Sequence, residues 1–204
     1  MTLKFYTNPM SRGQIARWAL HEAGADYEQV LLDYDTTMKA DEYLAINPMG
    51  KVPAIDHDGK VVTEGAAICA YLADAFPDAN LAPMAEERAD YYRWLFFAAG
   101  PLEAAITNRS MGFEIETDKE RMAGYGNYDH VVDALDGKFR KDDYVCGSRF
   151  TMADVYVGAQ LVWGTEYGTL PTRDSFLAYA QRVTERAAYK AAKAIDDALI
   201  AENS

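Results

Sequence analysis

A serine at the expected start of a helix is the first feature of this chain that could do chemistry. Ser11 lies in segment 8–14, which links a short apolar run to a helical pattern. The first N–H groups of a helix have no partner within it, and the helix dipole is positive there. Such a position stabilises an anion or a thiolate. Ser11 can donate a hydrogen bond to that anion, and Arg12 adds positive charge nearby.

The same serine also has a structural interpretation. Ser11 and Gln14 are spaced as in a capping box, where the hydroxyl accepts a backbone N–H of the first turn. The two roles compete only in part, because the hydroxyl oxygen accepts a hydrogen bond while its hydrogen donates one. Both interpretations remain open at this point.

A second candidate segment, Asn47 to Ile55, ends in an apolar run typical of a strand. Pro53 stands where that strand should begin, a position that tolerates a residue without an N–H. A cis bond between Val52 and Pro53 turns the N–H and C=O of Val52 outward, where they can pair with a peptide ligand as an added strand. An ordinary trans proline at a strand start is the alternative.

A third candidate lies where the next helix opens, at Glu64, Gly65 and Ala66. Glu64 can receive an ammonium group, and the free N–H groups of Gly65 and Ala66 can receive a carboxylate. The α-carbon end of an amino acid carries both charges and suits this pair. The alternative is that Glu64 only complements the helix dipole.

Alternating elements over the first third of the chain must position these residues. Strand patterns cover 3–7, 29–32, 52–56 and 61–63, and helical patterns cover 11–23, 36–46 and 65–76. The order β-α-β, a helical connection and β-β-α predicts a four-stranded mixed sheet with helices on its faces. Asp58 and Gly59, between the last two strands, are a hairpin signal.

The remainder of the chain has helical patterns and little strand signal. After a linker at 78–85, these patterns cover 86–108, 118–139, 152–163, 175–187 and 189–201. We therefore expect an α/β domain over 1–77 and an all-helical domain, a helical bundle, over 86–204. The helix that starts at 152 is apolar on nearly every side, which predicts burial. We interpret Thr151 and Asp154 as its capping box rather than Asp154 as a catalytic acid.

Composition restricts the partners and the compartment. The 204 residues carry a net charge of −12, which disfavours nucleic acid and anionic membrane surfaces. No apolar run has the length of a membrane span, and the N-terminal residues lack a signal-peptide pattern. Cys69 and Cys146 are too few for a disulfide framework, so we expect free buried thiols in a reducing cytoplasm. The histidines lie far apart, and we expect no metal site.

Segments 8–13, 47–54 and 64–68, with the spacing between them, resemble the cytosolic glutathione transferase family. The resemblance covers nearly the whole chain. Segment 70–77 is similar to the family's usual end of the first domain, and segment 150–154 to a helix start in its second domain. The resemblance implies a thioredoxin-like glutathione-binding domain followed by a helical domain that forms the pocket for an electrophile.

The resemblance also implies how glutathione is held. Val52, beside a cis Pro53, pairs through its backbone with the cysteinyl part of glutathione. Glu64 and Gly65 hold the γ-glutamyl end, and Lys51 meets the glycine carboxylate. Gly65 departs from the serine that is usual in the family, which removes one side-chain contact and leaves the backbone N–H groups.

The catalytic hydroxyl varies among subfamilies, and the loop of this chain resembles the serine type of bacterial members. Ser11 is therefore the expected catalytic residue, with Tyr6 and Arg12 as alternatives. No cysteine occupies the first loop, which puts the thiol-exchange subfamilies in doubt.

The expected reaction is conjugation of the glutathione thiolate to electrophilic, mostly hydrophobic small molecules, as in detoxification. Glutathione is then a co-substrate, and a homodimer is usual in the family. The electrophile pocket is expected between the domains, facing Ser11; its candidates, each equally suited to the core, are Met10, Met111, Phe113, Trp163 and Tyr167. The alternatives are a glutathione-dependent peroxidase, reductase or isomerase, or a non-catalytic binding protein.

Overall fold

The computed structural model describes residues 2–202, which contain four β-strands and nine α-helices. The strands are β1 (Leu3–Thr7), β2 (Glu28–Leu31), β3 (Ala54–His57) and β4 (Lys60–Thr63). They form one sheet in the order β2-β1-β3-β4, in which β1 and β2 are parallel and the other neighbours antiparallel. The predicted four-stranded mixed sheet is confirmed.

The helices follow the predicted order, with different ends. They are α1 (Gly13–Glu22), α2 (Asp41–Leu44), α3 (Gly65–Ala75), α4 (Arg88–Phe97), α5 (Glu103–Ser110), α6 (Tyr128–Phe139), α7 (Met152–Glu166), α8 (Asp174–Thr184) and α9 (Ala187–Glu202). The chain divides into two compact units, 2–82 with 185–202 (the first unit) and 83–184 (the helical unit). Within residues 2–202, no helix is long and apolar enough to cross a membrane.

The hairpin between β3 and β4 forms where the sequence predicts it. Asp58 and Gly59 both have positive φ angles, 51° and 81°. A two-residue turn of this kind matches the twist of the flanking strands, and Asp-Gly is a favoured pair for it. The turn therefore aligns β4 with β3 and carries the chain back toward the end of the sheet at which β1 finishes.

The last helix belongs to the first unit, because α9 packs on α1. At the centre of this contact Arg17 Nε lies 2.9 Å from Asp196 Oδ1, and each side chain is only 1% exposed. The Arg17 guanidinium also lies 5.2 Å from the centre of the Phe5 ring. Burial raises the pKa of Asp196 to about 6, against the opposing effect of Arg17. A buried charge pair thus joins α9 to α1.

Two further contacts extend the α1–α9 packing. The Trp18 ring meets the Tyr189 ring edge-on at 4.9 Å between centroids. Arg186 Nε donates to Glu22 at 2.6 Å. The domain boundaries expected from sequence, at residues 77 and 86, stay a prediction. The two compact units differ from that division because α9 lies in the first unit and not in the helical one.

Helix α7 is the core of the helical unit, and most of its residues are buried, as its apolar sequence predicts. Thr151 and Asp154 form the reciprocal capping box at its start. The Asp154 carboxylate also accepts from the Val145 N–H at 2.7 Å and the Tyr179 hydroxyl at 2.9 Å. Burial raises the pKa of Asp154 to about 6. With its oxygens occupied by these donors, Asp154 has a structural role.

Two predicted helices of this unit are interrupted. The helix expected over 118–139 is wrong in its first half: a 3-10 segment, Thr117–Met122, is followed by a turn with Gly126 at φ 67°, and α6 begins only at Tyr128. The helix expected over 86–108 contains a π-helical segment, Ala98–Leu102, between α4 and α5. Pro101 lies within it and lacks an N–H, which prevents the regular ladder there.

The buried pair between α1 and α9 gives a test of what holds the last helix. We expect Asp196→Ala to lower the free energy of unfolding by about 3–5 kcal/mol, because Arg17 is left charged and buried without its partner. Urea unfolding measures the difference. The control is Asp197→Ala, which removes an exposed pair with Lys193 and should cost at most about 1 kcal/mol. Equal effects of the two variants contradict the assigned role of the buried pair.

Candidate functional site

Three loops meet at one edge of the sheet in the first unit. Tyr6 of β1 pairs with Ala54 of β3, and Ala54 pairs with Thr63 of β4. Because β3 is antiparallel to both neighbours, the end of β1, the start of β3 and the end of β4 lie side by side. The structure therefore brings the Ser11 loop, the segment 51–53 and the segment 64–65 to the same edge, although they are far apart in sequence.

Ser11 is already hydrogen-bonded on both sides. Its Oγ donates to the Asn8 carbonyl at 2.6 Å and accepts from the Gly13 N–H at 2.9 Å. The reciprocal capping box is absent, since the Gln14 amide donates to the Pro9 carbonyl at 2.6 Å instead. The Ser11 hydroxyl therefore satisfies the N–H of the first residue of α1, and its hydrogen must turn away from Asn8 to reach a sulfur.

Asn8 and Tyr34 fix the Ser11 loop from two directions. Asn8 Nδ2 donates to the Leu32 carbonyl at 2.8 Å, and Asn8 Oδ1 accepts from the Met10 N–H at 2.9 Å. The Tyr34 hydroxyl donates to the Met10 carbonyl at 3.0 Å. These bonds tie the loop after β1 to the end of β2, which is the parallel neighbour of β1.

Gly13 lets the start of α1 approach the end of β1. A Cβ atom on Gly13 would lie 2.0 Å from Thr7 Oγ1, far inside van der Waals contact. Thr7 is fully buried, and its hydroxyl has no hydrogen-bond partner among the described residues. The absence of a side chain at residue 13 is therefore a requirement of this loop.

The segment before β3 presents an open peptide backbone. The Val52–Pro53 bond is cis, as the family resemblance implies. Neither backbone group of Val52 has a hydrogen-bond partner among residues 2–202. The Val52 side chain packs against a core cluster that includes Tyr6 and Met38. The side chain is thus held inside while the N–H and C=O are available to a ligand.

Lys51 is exposed, and two side chains hold its backbone carbonyl. Its carbonyl accepts from the Tyr43 hydroxyl at 2.6 Å and from Asn47 Nδ2 at 2.8 Å. Burial raises the pKa of Tyr43 to about 12, so this phenol stays protonated near neutral pH and remains a donor. The exposed Lys51 ammonium therefore extends from a fixed position in the chain.

Glu64 has an unusual backbone conformation at the start of α3. Its φ is 67° and its ψ is 120°, outside the regions that most side chains adopt. Such a conformation costs about 1–3 kcal/mol and is most often found at functional sites. Its side chain is exposed, and the first turn, at Gly65 and Ala66, has no side-chain cap. An acidic group and open N–H groups therefore lie together.

The two alternative catalytic residues lie in different surroundings. Tyr6 is in the core cluster with Leu32, Met38, Tyr43 and Ala54, and its ring centroid lies 5.6 Å from that of Tyr43. Arg12 is exposed and follows Ser11 directly. A buried ring in the middle of the sheet fits packing, whereas Arg12 can place charge near the start of α1.

The residues predicted for the electrophile pocket occur in both units. Met10 is 73% exposed in the first unit, and Met111, Phe113 and Tyr167 are exposed in the helical unit. Phe113 lines a cavity of about 330 Å³ within the helical unit, together with Arg109, Tyr125 and Tyr128. Met111, Tyr167 and the half-buried Trp163 are not among the described residues that line it.

The cysteines and the acidic residues show no further reactive centre in the described part of the chain. Burial raises the pKa of the Cys69 thiol, and it raises that of the half-buried Cys146 to about 11. Both are free thiols with little thiolate at neutral pH. No group of three histidine, cysteine or acidic side chains in residues 2–202 is arranged to hold a metal ion.

Four residues that were not predicted from sequence hold the site loops in place. Asn8, Tyr34, Asn47 and Tyr43 all bond to loop backbone, and none was predicted as functional. One signal was available, because the tripeptide Asn-Pro-Met occurs at both 8–10 and 47–49. Asparagine before proline is typical of a turn in which the side chain replaces a backbone bond.

Comparisons with known proteins agree with this fold. Residues 1–74 match the family model described as glutathione S-transferase, N-terminal domain, and residues 91–186 match glutathione S-transferase, C-terminal domain. Glutathione S-transferase GstA of Escherichia coli O157:H7 is 30% identical over 207 residues, with 98% of each chain covered.

Solved structures give the same result. A glutathione transferase of Methylococcus capsulatus superimposes with a TM-score of 0.79 at 28% identity, covering 96% of this chain and 99% of that one. A sphingomonad glutathione S-transferase in complex with glutathione superimposes with a TM-score of 0.76 at 28% identity, covering 95% and 98%. The chain belongs to the glutathione S-transferase family.

The close approach of Gly13 and Thr7 can be tested directly. We expect Gly13→Ala to lower the free energy of unfolding by about 1–3 kcal/mol, as overpacking does, because the start of α1 must move away from β1. Thr7→Ala in the same chain removes the contact at 2.0 Å and should recover part of the loss. Urea unfolding of both single variants and the double variant gives the coupling, and strict additivity contradicts the contact.

Proposed function

We propose that this protein conjugates the thiolate of glutathione to electrophilic, mostly hydrophobic small molecules. The observation that carries the proposal is the convergence of Ser11, the open Val52 backbone and the uncapped start of α3 on one edge of the sheet. Membership of the glutathione S-transferase family supports it. In the sphingomonad relative, glutathione is bound in the solved structure.

Each part of glutathione has a chemically suitable partner at this edge. The N–H and C=O of Val52 pair with the cysteinyl backbone as a short added strand. Glu64 receives the γ-glutamyl ammonium, and the N–H groups of Gly65 and Ala66 receive its carboxylate. Lys51, the residue before Val52, is proposed to meet the glycine carboxylate. With glycine at residue 65, the carboxylate contact is limited to backbone donors.

Ser11 is the proposed activator of the thiol, which makes this a serine-loop member of the family. A free thiol has a pKa of about 8.5, and the thiolate is the nucleophile. A hydrogen bond to a charged group contributes about 1.5–3 kcal/mol, but Ser11 gives up its neutral bond to Asn8, worth about 0.5–1.5 kcal/mol. The start of α1 adds about 0.3–1 kcal/mol. At the middle of these ranges the sum is about 2 kcal/mol, which lowers the pKa by about 1.4 units.

A thiol pKa lowered by this amount leaves a role for positive charge near the loop. Arg12 is the proposed second contributor, since a cation beside a thiol lowers its pKa. Tyr6 is the weaker alternative, because its ring is part of the core cluster. In the reaction the sulfur forms a bond to an electrophilic carbon. In a substitution the leaving group departs with its electron pair; in an addition the electron pair of the broken π bond moves to the neighbouring atom, which takes a proton from solvent.

The second substrate is proposed to contact Met10, Met111, Phe113, Trp163 and Tyr167. Thioether and aromatic side chains adapt to varied hydrophobic molecules, which suits detoxification. We also propose a cytoplasmic homodimer. Tyr92 and Phe96, one turn apart on α4, are 46% and 69% exposed and are the aromatic pair we expect to be covered in it.

Three assays together test the proposed function. We expect retention on immobilised glutathione, turnover with a generic aromatic electrophile, and lower turnover with an organic hydroperoxide. Retention in which turnover of the hydroperoxide exceeds conjugation favours a glutathione-dependent peroxidase on the same fold. Retention without any turnover indicates a non-catalytic binding protein, and failure to bind glutathione contradicts the proposal.

The role of Ser11 predicts a split between catalysis and binding. We expect Ser11→Ala to lower kcat by about tenfold, the value of a charge-assisted hydrogen bond less that of the bond given up to Asn8, while the Kd of glutathione changes less than about threefold. Steady-state kinetics and a binding titration measure the two quantities. Arg12→Ala is the companion variant, and an unchanged kcat in Ser11→Ala would move the role to Arg12, Tyr6 or the backbone.

A further inference from the structure

Two loops of the site are built by the same hydrogen-bonding turn. In each, an asparagine precedes a proline, and its Oδ1 accepts the N–H of the methionine two residues on. The distance is 2.9 Å from Met10 to Asn8 and 3.1 Å from Met49 to Asn47. Each side chain thus closes a turn that fixes the direction in which its loop leaves.

The two asparagine amides have different targets. Asn8 Nδ2 donates to the Leu32 carbonyl and Asn47 Nδ2 donates to the Lys51 carbonyl, both at 2.8 Å. The first bond spans from the end of β1 to the end of β2. The second stays within its own loop, at the residue before Val52. The same asparagine turn therefore positions two different parts of the site.

Asn8 determines where the Ser11 hydroxyl lies. Its side chain ties the loop to β2, and its own carbonyl accepts both the Ser11 N–H at 3.1 Å and the Ser11 hydroxyl at 2.6 Å. A shift of Asn8 therefore moves the oxygen that is proposed to meet the glutathione sulfur. It leaves the Val52 backbone in place, because Asn8 makes no hydrogen bond to that segment in the described chain.

Asn47 determines which way the Val52 N–H points. The Lys51 C=O and the Val52 N–H belong to one planar trans peptide unit, so they point in opposite directions. Asn47, which is 3% exposed, and the Tyr43 hydroxyl both donate to that carbonyl and hold it toward the protein. The Val52 N–H is thereby turned away from the protein, toward a ligand.

We infer that Asn8 and Asn47 are positioning residues with separate duties. Asn8 sets the activation of the sulfur through Ser11, and Asn47 sets the affinity for the peptide backbone of glutathione through Val52. The inference rests on the proposed function, since it assigns parts of that binding site. It adds that two loops with the same local structure control two different properties, the activation of the thiol and the affinity for glutathione.

Matched substitutions test this division. Asn8→Ser and Asn47→Ser keep a short acceptor for the methionine N–H and remove the amide donor. For Asn8→Ser we expect the pKa of the bound glutathione thiol to rise by about one unit and kcat to fall, with Kd within about threefold. For Asn47→Ser we expect Kd to rise about tenfold and the thiol pKa to stay unchanged. Thiolate ultraviolet absorbance against pH and a binding titration measure both.

A second pair removes a hydroxyl donor from each loop and keeps both asparagines. Tyr34→Phe frees the Met10 carbonyl in the Ser11 loop, and Tyr43→Phe removes one donor to the Lys51 carbonyl. We expect the same two effects at smaller size. Tyr34→Phe should raise the pKa of the bound thiol, and Tyr43→Phe should raise the Kd of glutathione. If a serine variant fails to fold, these two tyrosine variants still test the inference.

The outcomes separate failure of the inference from failure of the proposed function. If the unmodified protein binds no glutathione, both are overturned. If it binds glutathione and each pair of variants changes the same quantity, or neither quantity, the inference alone is overturned. Thermal unfolding of every variant shows whether a change in Kd or thiol pKa follows loss of folded protein.

Discussion

The pairing of three residues across the sheet is the constraint on which the site depends. Tyr6, Ala54 and Thr63 stand side by side in β1, β3 and β4. A slip of one residue in either pairing would turn buried side chains such as Ile55 to the opposite face. The hydrophobic core therefore fixes the register. The register in turn brings the Ser11 loop, Val52 and Glu64 to one edge without any direct bond between those residues.

Local polar contacts then fix the loops that the sheet has brought together. Short polar side chains such as asparagine compete with regular secondary structure by bonding nearby backbone groups. Asn8 and Asn47 use this property to hold irregular backbone in one conformation, and the protonated Tyr43 phenol adds a donor from below. The proposed site for a flexible tripeptide gains from such rigidity, because less ordering remains to be done on binding.

Regular elements with strong local signals could be predicted from sequence, and those that depend on distant contacts could not. Residues 3–7 were predicted as a strand and form β1, and Asp58 with Gly59 forms the predicted hairpin turn. The predicted start of this helix, at residue 118, was wrong. The helical pattern in the sequence continues through Gly126, but the positive φ of Gly126 is incompatible with a helix, and α6 begins after it. The packing of α9 on α1 depends on Arg17 and Asp196, and nothing local indicates that this charged pair is buried.

The site had the same division between local and distant information. The type and spacing of Ser11, Val52 and Glu64 predicted the candidate ligand contacts. The state of their hydrogen bonds could not be predicted, since it depends on the loops around them. The Ser11 hydroxyl is occupied by the Asn8 carbonyl, which reduces the free energy that it can supply to a thiolate.

Glu64 shows how binding and stability are balanced at this edge. Its backbone is held at φ 67°, and the helix that follows begins without a side-chain cap. Both features cost stability, because an ordinary backbone and a capping serine or aspartate would favour the folded chain. The fully buried Ile68 and Leu72 of α3 anchor the helix in the core and offset this cost. The open N–H groups are thus maintained by burial of the opposite face of the same helix, and a bound carboxylate would supply the missing cap.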